Sequence, residues 1–345
     1  MTEQTDAPVA EPRRAGRPRL REAGAVEVGP FTLPYSGLAS KAAREVFIGQ
    51  LNPAPAGIAG DIAALRAHYD IQNARLADHM REVFSVDVRE GEIGGVRVHV
   101  VTPASPRAAN AGRVLVCLHG GAFTWGADSG ALVEAIPIAD RMGIEVVAVD
   151  YRMGPEHRFP AASEDAAAVY RALLDRHAPG AIGLYGCSAG AILAAQAVAW
   201  IARTGLPRPG AITMLGGGGE DLEGDSAYLG PALEGAESLG GPVRLSDFAY
   251  FAGAPAEDAC VLPGRHPPVL ARFPPTLLIA GGRDFAASSV TSLHLKLDAA
   301  GIETRLYLFD GLWHAFHIFP DLPESRHVYR IMSAFFDRFL DRAQG

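Results

Sequence analysis

The chain has 345 residues, of which 48% are hydrophobic and 20% charged, and its formal net charge is −8. This length and composition are typical of a globular protein with one large α/β domain and a cap, or with two ordinary domains. The negative charge argues against a general affinity for nucleic acid or for an anionic membrane, since both require a positively charged face.

Cysteine content and hydropathy restrict the class of protein further. Cys117, Cys187 and Cys260 are widely separated, which indicates neither a disulfide framework nor a metal-ligand spacing. No stretch approaches the ~18 uninterrupted apolar residues of a membrane span, and the first residues lack the apolar core of a signal peptide. We therefore expect a cytoplasmic protein with no membrane span, no metal and no cofactor.

Residues 1–28 are rich in Ala, Pro, Arg, Glu and Gly and show no hydrophobic period, so we expect a disordered tail. Within it, Arg13–Arg21 contains five arginines around Gly-Arg-Pro, which is similar to the minor-groove-binding core of an AT-hook. The tail also holds five acidic residues that balance these charges. Because affinity for phosphate scales with net cationic contacts, no nucleic-acid partner is expected, and DNA tethering remains the weaker alternative.

Residues 29–90 are predicted to form an N-terminal helical cap. Apolar residues recur there at helical spacing, as in Ile62, Leu65 and Tyr69. A catalytic domain over 91–345 follows, and its first predicted strand covers residues 96–102, where apolar and polar residues alternate.

The rest of the catalytic domain alternates between apolar runs typical of buried strands and segments typical of helices. The predicted strands cover 113–119, 144–149, 182–185, 211–215, 275–280 and 304–309, and the predicted helices cover 131–142, 163–177, 189–203, 288–300 and 329–342. This order predicts an α/β fold with a central, mostly parallel sheet and helices on both faces. Residues 216–263 interrupt the alternation and are expected to form an active-site loop or a cap insertion.

The pentapeptide Gly186-Cys187-Ser188-Ala189-Gly190 follows a predicted strand and opens a predicted helix. A G-x-S-x-G sequence in this position is typical of a sharp turn that exposes the serine hydroxyl, and side chains at the two glycine positions would collide with the neighbouring strand or helix. Because so short a pattern also arises by chance, the prediction that Ser188 is a nucleophile depends on partners elsewhere in the chain.

Two such partners follow later strands. Asp284 and His314 each lie just after the carboxyl end of a predicted strand, which is where ligands bind in open α/β sheets. The order Ser, Asp, His is that of α/β hydrolases. His314 would take the proton of Ser188, and Asp284 would orient the imidazole. Asp310, which is nearer to His314 in sequence, is the alternative acid; Asp284 is preferred because it can approach the ring from the side opposite the serine.

The loop His119-Gly-Gly-Ala-Phe123 follows the predicted strand 113–119. Glycines allow bare backbone N–H groups to point into a site, so Gly120 and Gly121, together with Ala189 after the proposed nucleophile, are expected to form an oxyanion hole. Taken alone, the loop would more often be a glycine turn with no catalytic role, but beside the serine turn and an acid and base in the expected order the oxyanion role is favoured.

Four segments together resemble the hormone-sensitive-lipase family of bacterial carboxylesterases (bacterial family IV), whose members have the α/β-hydrolase fold. These segments are 119–123, 150–162, 186–190 and 310–316, and the resemblance extends over about residues 95–343. It implies a serine hydrolase of carboxylic esters in which the N-terminal helices form part of a cap over the site and segment 150–162 is structural.

Three positions depart from the pattern of that family. Cys187 stands where relatives commonly have Asp, and Asp284 is followed by Phe-Ala-Ala-Ser rather than by Pro-Leu and a further Asp. Gly216–Gly219 replaces Ser-Pro and is expected to change a wall near the substrate pocket. The residues expected to line that pocket are Ala122, Phe123, Cys187 and Trp313.

The sequence therefore predicts an esterase for small to medium acyl esters or lactones that acts through an acyl-enzyme on Ser188. The alternative is a ligand receptor on the same fold that has lost catalytic power; the presence of both Ser188 and His314 argues against it. The expected partner is a small-molecule ester or lactone. The oligomeric state is not determined by the sequence, and a homodimer is left open.

Overall fold

The computed structural model describes residues 18–27, 29, 32–51, 61–235 and 240–341. The chain divides into two compact units, residues 1–38 and 39–345. In the first unit, β1 (Arg19–Leu20) and β2 (Val26–Glu27) form a two-stranded antiparallel ribbon. The predicted disordered tail thus contains this ribbon, while its residues 1–17 and 28 lie outside the described residues.

The second unit begins with two helices, α1 (Lys41–Gln50) and α2 (Ile62–Val83). Each starts at a side chain that accepts hydrogen bonds from otherwise unpaired N–H groups. The Ser40 hydroxyl accepts from Ala43, and the Asp61 carboxylate accepts from Ala63 and Ala64. Both helices fall within the predicted cap, of which residues 30–31 and 52–60 lie outside the described part.

A hairpin of β3 (Val86–Ile93) and β4 (Val96–Pro103) follows α2. The first of these strands was not predicted, because five of its eight residues are charged or glycine and the segment is mostly exposed. The signal that could have found it is the Gly94-Gly95 pair, since both residues have positive φ, at 62° and 79°. Such a pair suits a two-residue hairpin turn.

The remaining strands lie close to the predicted ranges. They are β5 (Val114–Leu118), β6 (Glu145–Val149), β7 (Ile182–Cys187), β8 (Ala211–Leu215), β9 (Thr276–Gly281) and β10 (Thr304–Phe309). In the described part of the chain, eight strands form one sheet in the order β10-β9-β8-β7-β5-β6-β4-β3. The pairs from β6 to β10 are parallel, and β4 pairs antiparallel with both β6 and β3. The predicted mostly parallel central sheet is confirmed.

The helices that connect these strands are α3 (Ser129–Met142), α4 (Ala161–Leu173), α5 (Ala189–Arg203), α6 (Asp225–Leu233), α7 (Pro267–Leu270), α8 (Ala287–Ala299) and α9 (Pro323–Phe339). Helices α4 and α5 pack together, and α3 packs against α2 and α9. Every residue of β5, β7, β8 and β9 is buried, as expected of parallel strands covered on both faces. Parallel order places the loops after β5, β7, β9 and β10 at one edge of the sheet.

The segment 216–263, predicted as a loop or cap insertion, contains α6 and a bridge between Leu222 and Val243. Its later part reaches the core, where the rings of Tyr250 and Phe251 lie 4.9 and 5.0 Å from that of Phe123. None of the helices among the described residues has both the length and the apolar character needed to cross a bilayer.

Candidate active site

Ser188 lies on the turn between β7 and α5, in a backbone conformation that only a tightly packed turn sustains. Its φ is +55°, a value that non-glycine residues rarely adopt. A Cβ added at Gly190 would lie 1.8 Å from the carbonyl oxygen of Leu118, and one added at Gly186 would lie 2.3 Å from the same atom. Both glycines are therefore required by the close approach of β5.

His314 and Asp284 meet at the carboxyl ends of β10 and β9. Nδ1 of His314 lies 2.9 Å from Oδ1 of Asp284, whose carboxyl is 1% exposed and also accepts the N–H of Ala286 at 2.8 Å. Asp310, the alternative acid, is exposed. Because Nδ1–H donates to a carboxylate, the lone pair of Nε2 is available to accept a proton.

The charge of Asp284 governs the titration of His314. Burial by itself lowers the pKa of the imidazole, but the negative charge and hydrogen bond of Asp284 outweigh it, with a further contribution from Glu234. The net result is that the pKa of His314 is raised. Asp284 therefore stabilises the imidazolium that forms when His314 accepts a proton as a general base.

Glu234, just after α6, is a second carboxyl beside His314 that the sequence analysis did not identify. Its Oε1 accepts the backbone N–H of His314 at 3.0 Å. Burial raises the pKa of Glu234 to about 7, and the nearby His314 opposes this shift. Nothing in the local sequence distinguishes Glu234 from the other acidic residues of segment 216–263; only the fold reveals this contact.

In the loop after β5, one of the backbone N–H groups expected to bind the oxyanion already has a partner within the protein. The N–H of Gly120, expected in the oxyanion hole, donates to Oε1 of Glu134 at 2.8 Å. Among the residues that the structure describes, no group accepts from the N–H of Gly121 or Ala122. The N–H groups of Gly121 and Ala122 are therefore open to a ligand.

His119 supports this loop from within the core. It is completely buried, its ring stacks on Tyr151 at 4.2 Å, and its Nδ1 lies 2.7 Å from the carbonyl oxygen of Gly120. The hydroxyl of Tyr151 donates to the carbonyl of His119 at 2.7 Å. Burial lowers the pKa of His119, so the ring is held neutral and acts as a structural part of the loop.

Gly216 lies behind the His314–Asp284 pair. A Cβ added there would be 2.9 Å from Oδ2 of Asp284 and 3.0 Å from Nδ1 of His314, and φ of Gly216 is +58°. The glycine run that begins here was expected to form a wall near the substrate pocket; the residues lining the cavity do not include it. Its effect on the site is to let the backbone approach the acid and the base closely.

A cavity of about 730 Å³ opens onto these groups. Ser188 and His314 both line it, as do Ala122, Phe123 and Cys187, three of the four expected pocket residues. Trp313, the fourth, is not among the lining residues: it is 3% exposed, with its ring 5.7 Å from that of Phe47 and 5.9 Å from that of Phe319.

Apolar and polar side chains both line the cavity. Helix α2 contributes part of the lining and is tied to the loop after β5, since Nε of Arg66 donates to the carbonyl of Thr124 at 2.7 Å and Tyr69 stacks on Trp125 at 4.5 Å. The apolar side chains include Phe123, Ile192, Leu222, Val243, Phe248 and Phe285. The polar side chains include Gln50 of α1 and Gln72, Asn73 and Arg75 of α2.

One cluster outside the cavity has the composition of a metal site. Ligand atoms of His99, Asp128 and Asp150 lie within 4.8 Å of one another. However, the guanidinium of Arg97 bonds to Asp128 and, at 2.6 Å, to Asp150. The arginine already supplies the positive charge there, so this cluster is an ion-pair network.

Glu134 predicts a measurable dependence of stability on pH. Burial raises the pKa of its carboxyl to about 8 in the folded protein, while the N–H groups of Gly120 and Cys187 act in the opposite direction. In the unfolded chain a glutamate titrates near 4.3. Between these values the folded state binds the extra proton, so the free energy of unfolding falls as pH rises.

We expect Glu134→Gln to remove this dependence. Relative to the wild type, the variant should gain roughly 3 to 5 kcal/mol of unfolding free energy on going from pH 5 to pH 8.5. Urea unfolding followed by circular dichroism at both pH values measures the difference, with Glu92→Gln at an exposed position as the control. A difference between Glu134→Gln and wild type that stays constant across this range would contradict the assignment.

Comparisons with known proteins are consistent with this geometry. Residues 115–318 match the model of a family described as having the alpha/beta hydrolase fold. An acetyl-hydrolase of Streptomyces hygroscopicus is 30% identical over 280 residues, which cover 77% of this chain and 89% of that protein. The crystal structure of an esterase called E25 has a TM-score of 0.78 at 30% identity and covers 91% of this chain and 99% of its own. An esterase from the bacterial hormone-sensitive lipase family has a TM-score of 0.73 at 23% identity, covering 88% of this chain and 100% of its own.

Proposed function

This chain belongs to the α/β-hydrolase family as a carboxylesterase, and we propose that it is of the hormone-sensitive-lipase type and forms its acyl-enzyme on Ser188. His314 is the general base and Asp284 the carboxylate that orients it. The observation that carries this proposal is the 2.9 Å contact between Asp284 and His314 at a cavity that Ser188 also lines.

Acylation begins when Oγ of Ser188 attacks the carbonyl carbon of the ester and its proton passes to Nε2 of His314. The tetrahedral intermediate collapses, the bond to the alcohol oxygen breaks, and His314 returns the proton to the departing alcohol. A water molecule then attacks the acyl-enzyme, gives its proton to His314 and releases the carboxylic acid, with the proton returning to Oγ of Ser188. Throughout, Asp284 stabilises the transient imidazolium.

The oxyanion of the intermediate requires backbone donors. We propose the N–H groups of Gly121, Ala122 and Ala189, and not that of Gly120, which donates to Glu134. Ala189 is the first residue of α5, where N–H groups have no partner within the helix. Each such donor contributes about 3 kcal/mol to transition-state stabilisation in acyl-transfer enzymes.

Substrate size follows from the cavity. The aromatic and aliphatic side chains that line it, among them Phe123, Phe248 and Phe285, suit a small to medium acyl chain or the ring of a lactone. Burying each methylene against them contributes about 0.8 kcal/mol until the space is filled. We propose that these side chains form the acyl subsite and that the alcohol lies beside α2.

An ester panel tests the substrate proposal. With p-nitrophenyl esters of two to twelve carbons, kcat/KM should rise about fourfold per methylene and reach its maximum at about four to eight carbons. Val243→Phe, which fills part of the proposed acyl subsite, should move the maximum to a shorter chain. Including γ- and δ-lactones in the panel ranks them against the linear esters. A profile with its maximum at twelve carbons, or one that Val243→Phe leaves unchanged, would contradict the assignment.

The receptor alternative is less well supported than catalysis. A receptor requires the pocket but not a paired acid and base, whereas here Asp284 and His314 are in contact at the cavity. We further propose a cytoplasmic location, supported by the three cysteines of the chain, which are buried and unpaired.

A further inference from the structure

A buried glutamate lies beneath the loop that carries the proposed oxyanion donors. Glu134 is on α3, is 8% exposed, and lines the cavity together with Ser188. It has no part in the acylation and deacylation steps described above. A carboxyl in such a position is costly, because burial disfavours its charge and its Oε2 has no hydrogen-bond partner among the described residues.

The other oxygen of this carboxyl fixes the orientation of Gly120. Oε1 accepts the N–H of Gly120 at 2.8 Å. Gly120 also packs against the nucleophile turn: a Cβ added to it would lie 3.2 Å from the carbonyl oxygen of Cys187, 3.4 Å from Oε1 of Glu134 and 3.6 Å from Cβ of Ser188. Gly120 therefore packs closely against both Glu134 and the turn that carries the proposed nucleophile.

The direction of this N–H determines which donors remain for a substrate. With Gly120 directed at Glu134, the next two residues, Gly121 and Ala122, keep N–H groups that no described residue accepts. Gly121 has φ of +116°, and a Cβ added to it would lie 1.9 Å from the carbonyl of Trp125, so the loop cannot easily rotate to another arrangement. Without the hydrogen bond to Glu134, the backbone of Gly120 would be free to reorient at the start of this tight loop.

We propose that Glu134 is a positioning residue for catalysis: by accepting the N–H of Gly120 it holds the loop so that the N–H groups of Gly121 and Ala122 face the oxyanion. The inference depends on the proposed mechanism at Ser188. The group required is a hydrogen-bond acceptor of this length, since either a carboxyl or an amide oxygen can accept from a backbone N–H.

The titratable groups that surround this carboxyl lie on two strands, β5 and β7, and on the loops after β6 and β10. They are Cys117, Tyr151, Tyr185, Cys187 and His314. His314, the proposed general base, is the group among them that becomes positively charged. The charge of Glu134 raises the pKa of His314, so a change of that charge would also change the pKa of the base. Glutamine separates the two effects, because it keeps the acceptor and cannot ionise.

The test compares Glu134→Leu with Glu134→Gln. Leucine has a similar volume but no acceptor, so kcat should fall about 10- to 100-fold while KM changes less than about threefold, as expected when oxyanion donors are misplaced. The inhibition constant of an alkylboronic acid, which forms a tetrahedral adduct, should rise by the same factor. Glu134→Gln should stay within about threefold of wild-type kcat.

Controls separate this role from a structural one. Glu220→Leu makes the same change at another carboxyl, one that is 12% exposed, paired with Lys296 and outside the cavity, and should leave kcat unchanged. Active sites are titrated with a fluorophosphonate, so that kcat refers to folded enzyme, and Glu134→Ala replaces the leucine variant if the latter does not fold.

Three outcomes would overturn the proposal. They are an unchanged kcat per titrated site in Glu134→Leu, a boronate constant that does not follow kcat, or a failure of Glu134→Gln to restore activity. Failure of the proposed function is distinct, because it would appear as wild-type protein whose Ser188 does not react with the fluorophosphonate.

Discussion

Ser188→Ala is expected to lower kcat for a p-nitrophenyl ester by about 10⁵- to 10⁶-fold, with the fold intact. The loss is large because the proposed mechanism has no acyl-enzyme without Oγ, and the remaining groups act as a unit that contributes little alone. The residual rate should still exceed that in water by about 10³-fold, owing to the oxyanion donors and substrate binding. Steady-state rates, together with thermal unfolding to verify the fold, measure the effect.

The matched control for this variant is Ser163→Ala. Ser163 is a completely buried serine on α4 that does not line the cavity. Its removal should change kcat less than about twofold, since it touches none of the proposed groups. A Ser188→Ala protein that retains more than about 1% of the wild-type rate would place the nucleophile elsewhere.

Asp284→Asn is expected to lower kcat by about 10⁴-fold. The amide would present an N–H to Nδ1 of His314 and so stabilise the tautomer that cannot accept the proton of Ser188 at Nε2. The geometry behind this prediction is the 2.9 Å bond from His314 to a carboxyl that is 1% exposed.

Asp310→Asn provides the comparison, because Asp310 is the alternative acid from sequence and is exposed in the structure. It should reduce kcat less than about threefold. Measured on the same ester, kcat of Asp310→Asn should exceed that of Asp284→Asn by about 10³-fold or more if Asp284 is the acid. The reverse order of the two effects would transfer this role to Asp310.

Residue types and strand order were sufficient to predict the fold and to nominate the acid and base. Parallel strands carry their following loops to one edge of the sheet, so Asp284 and His314, 30 residues apart, were expected near one another, and they are in contact. The same reasoning did not find β3, because its strand character comes from pairing with β4 and not from its own polar residues.

The contacts that refine the site depend on packing and were not predictable. Glu134 lies 14 residues beyond Gly120 on a helix whose other core-facing residues are apolar, and only the placement of α3 brings its carboxyl to the loop. Glu234 reaches His314 across 80 residues of sequence. The Trp313 side chain was assigned to the pocket from its position beside His314, but neighbouring residues in a loop point in different directions.

Covalent labelling tests the central claim most directly. The protein is incubated with a fluorophosphonate, digested, and mapped by mass spectrometry, in parallel with Ser188→Ala. Our account predicts one stoichiometric adduct on the peptide containing Ser188 and no adduct in the variant. An unlabelled wild-type protein, an adduct on another residue, or labelling that persists in Ser188→Ala would contradict it.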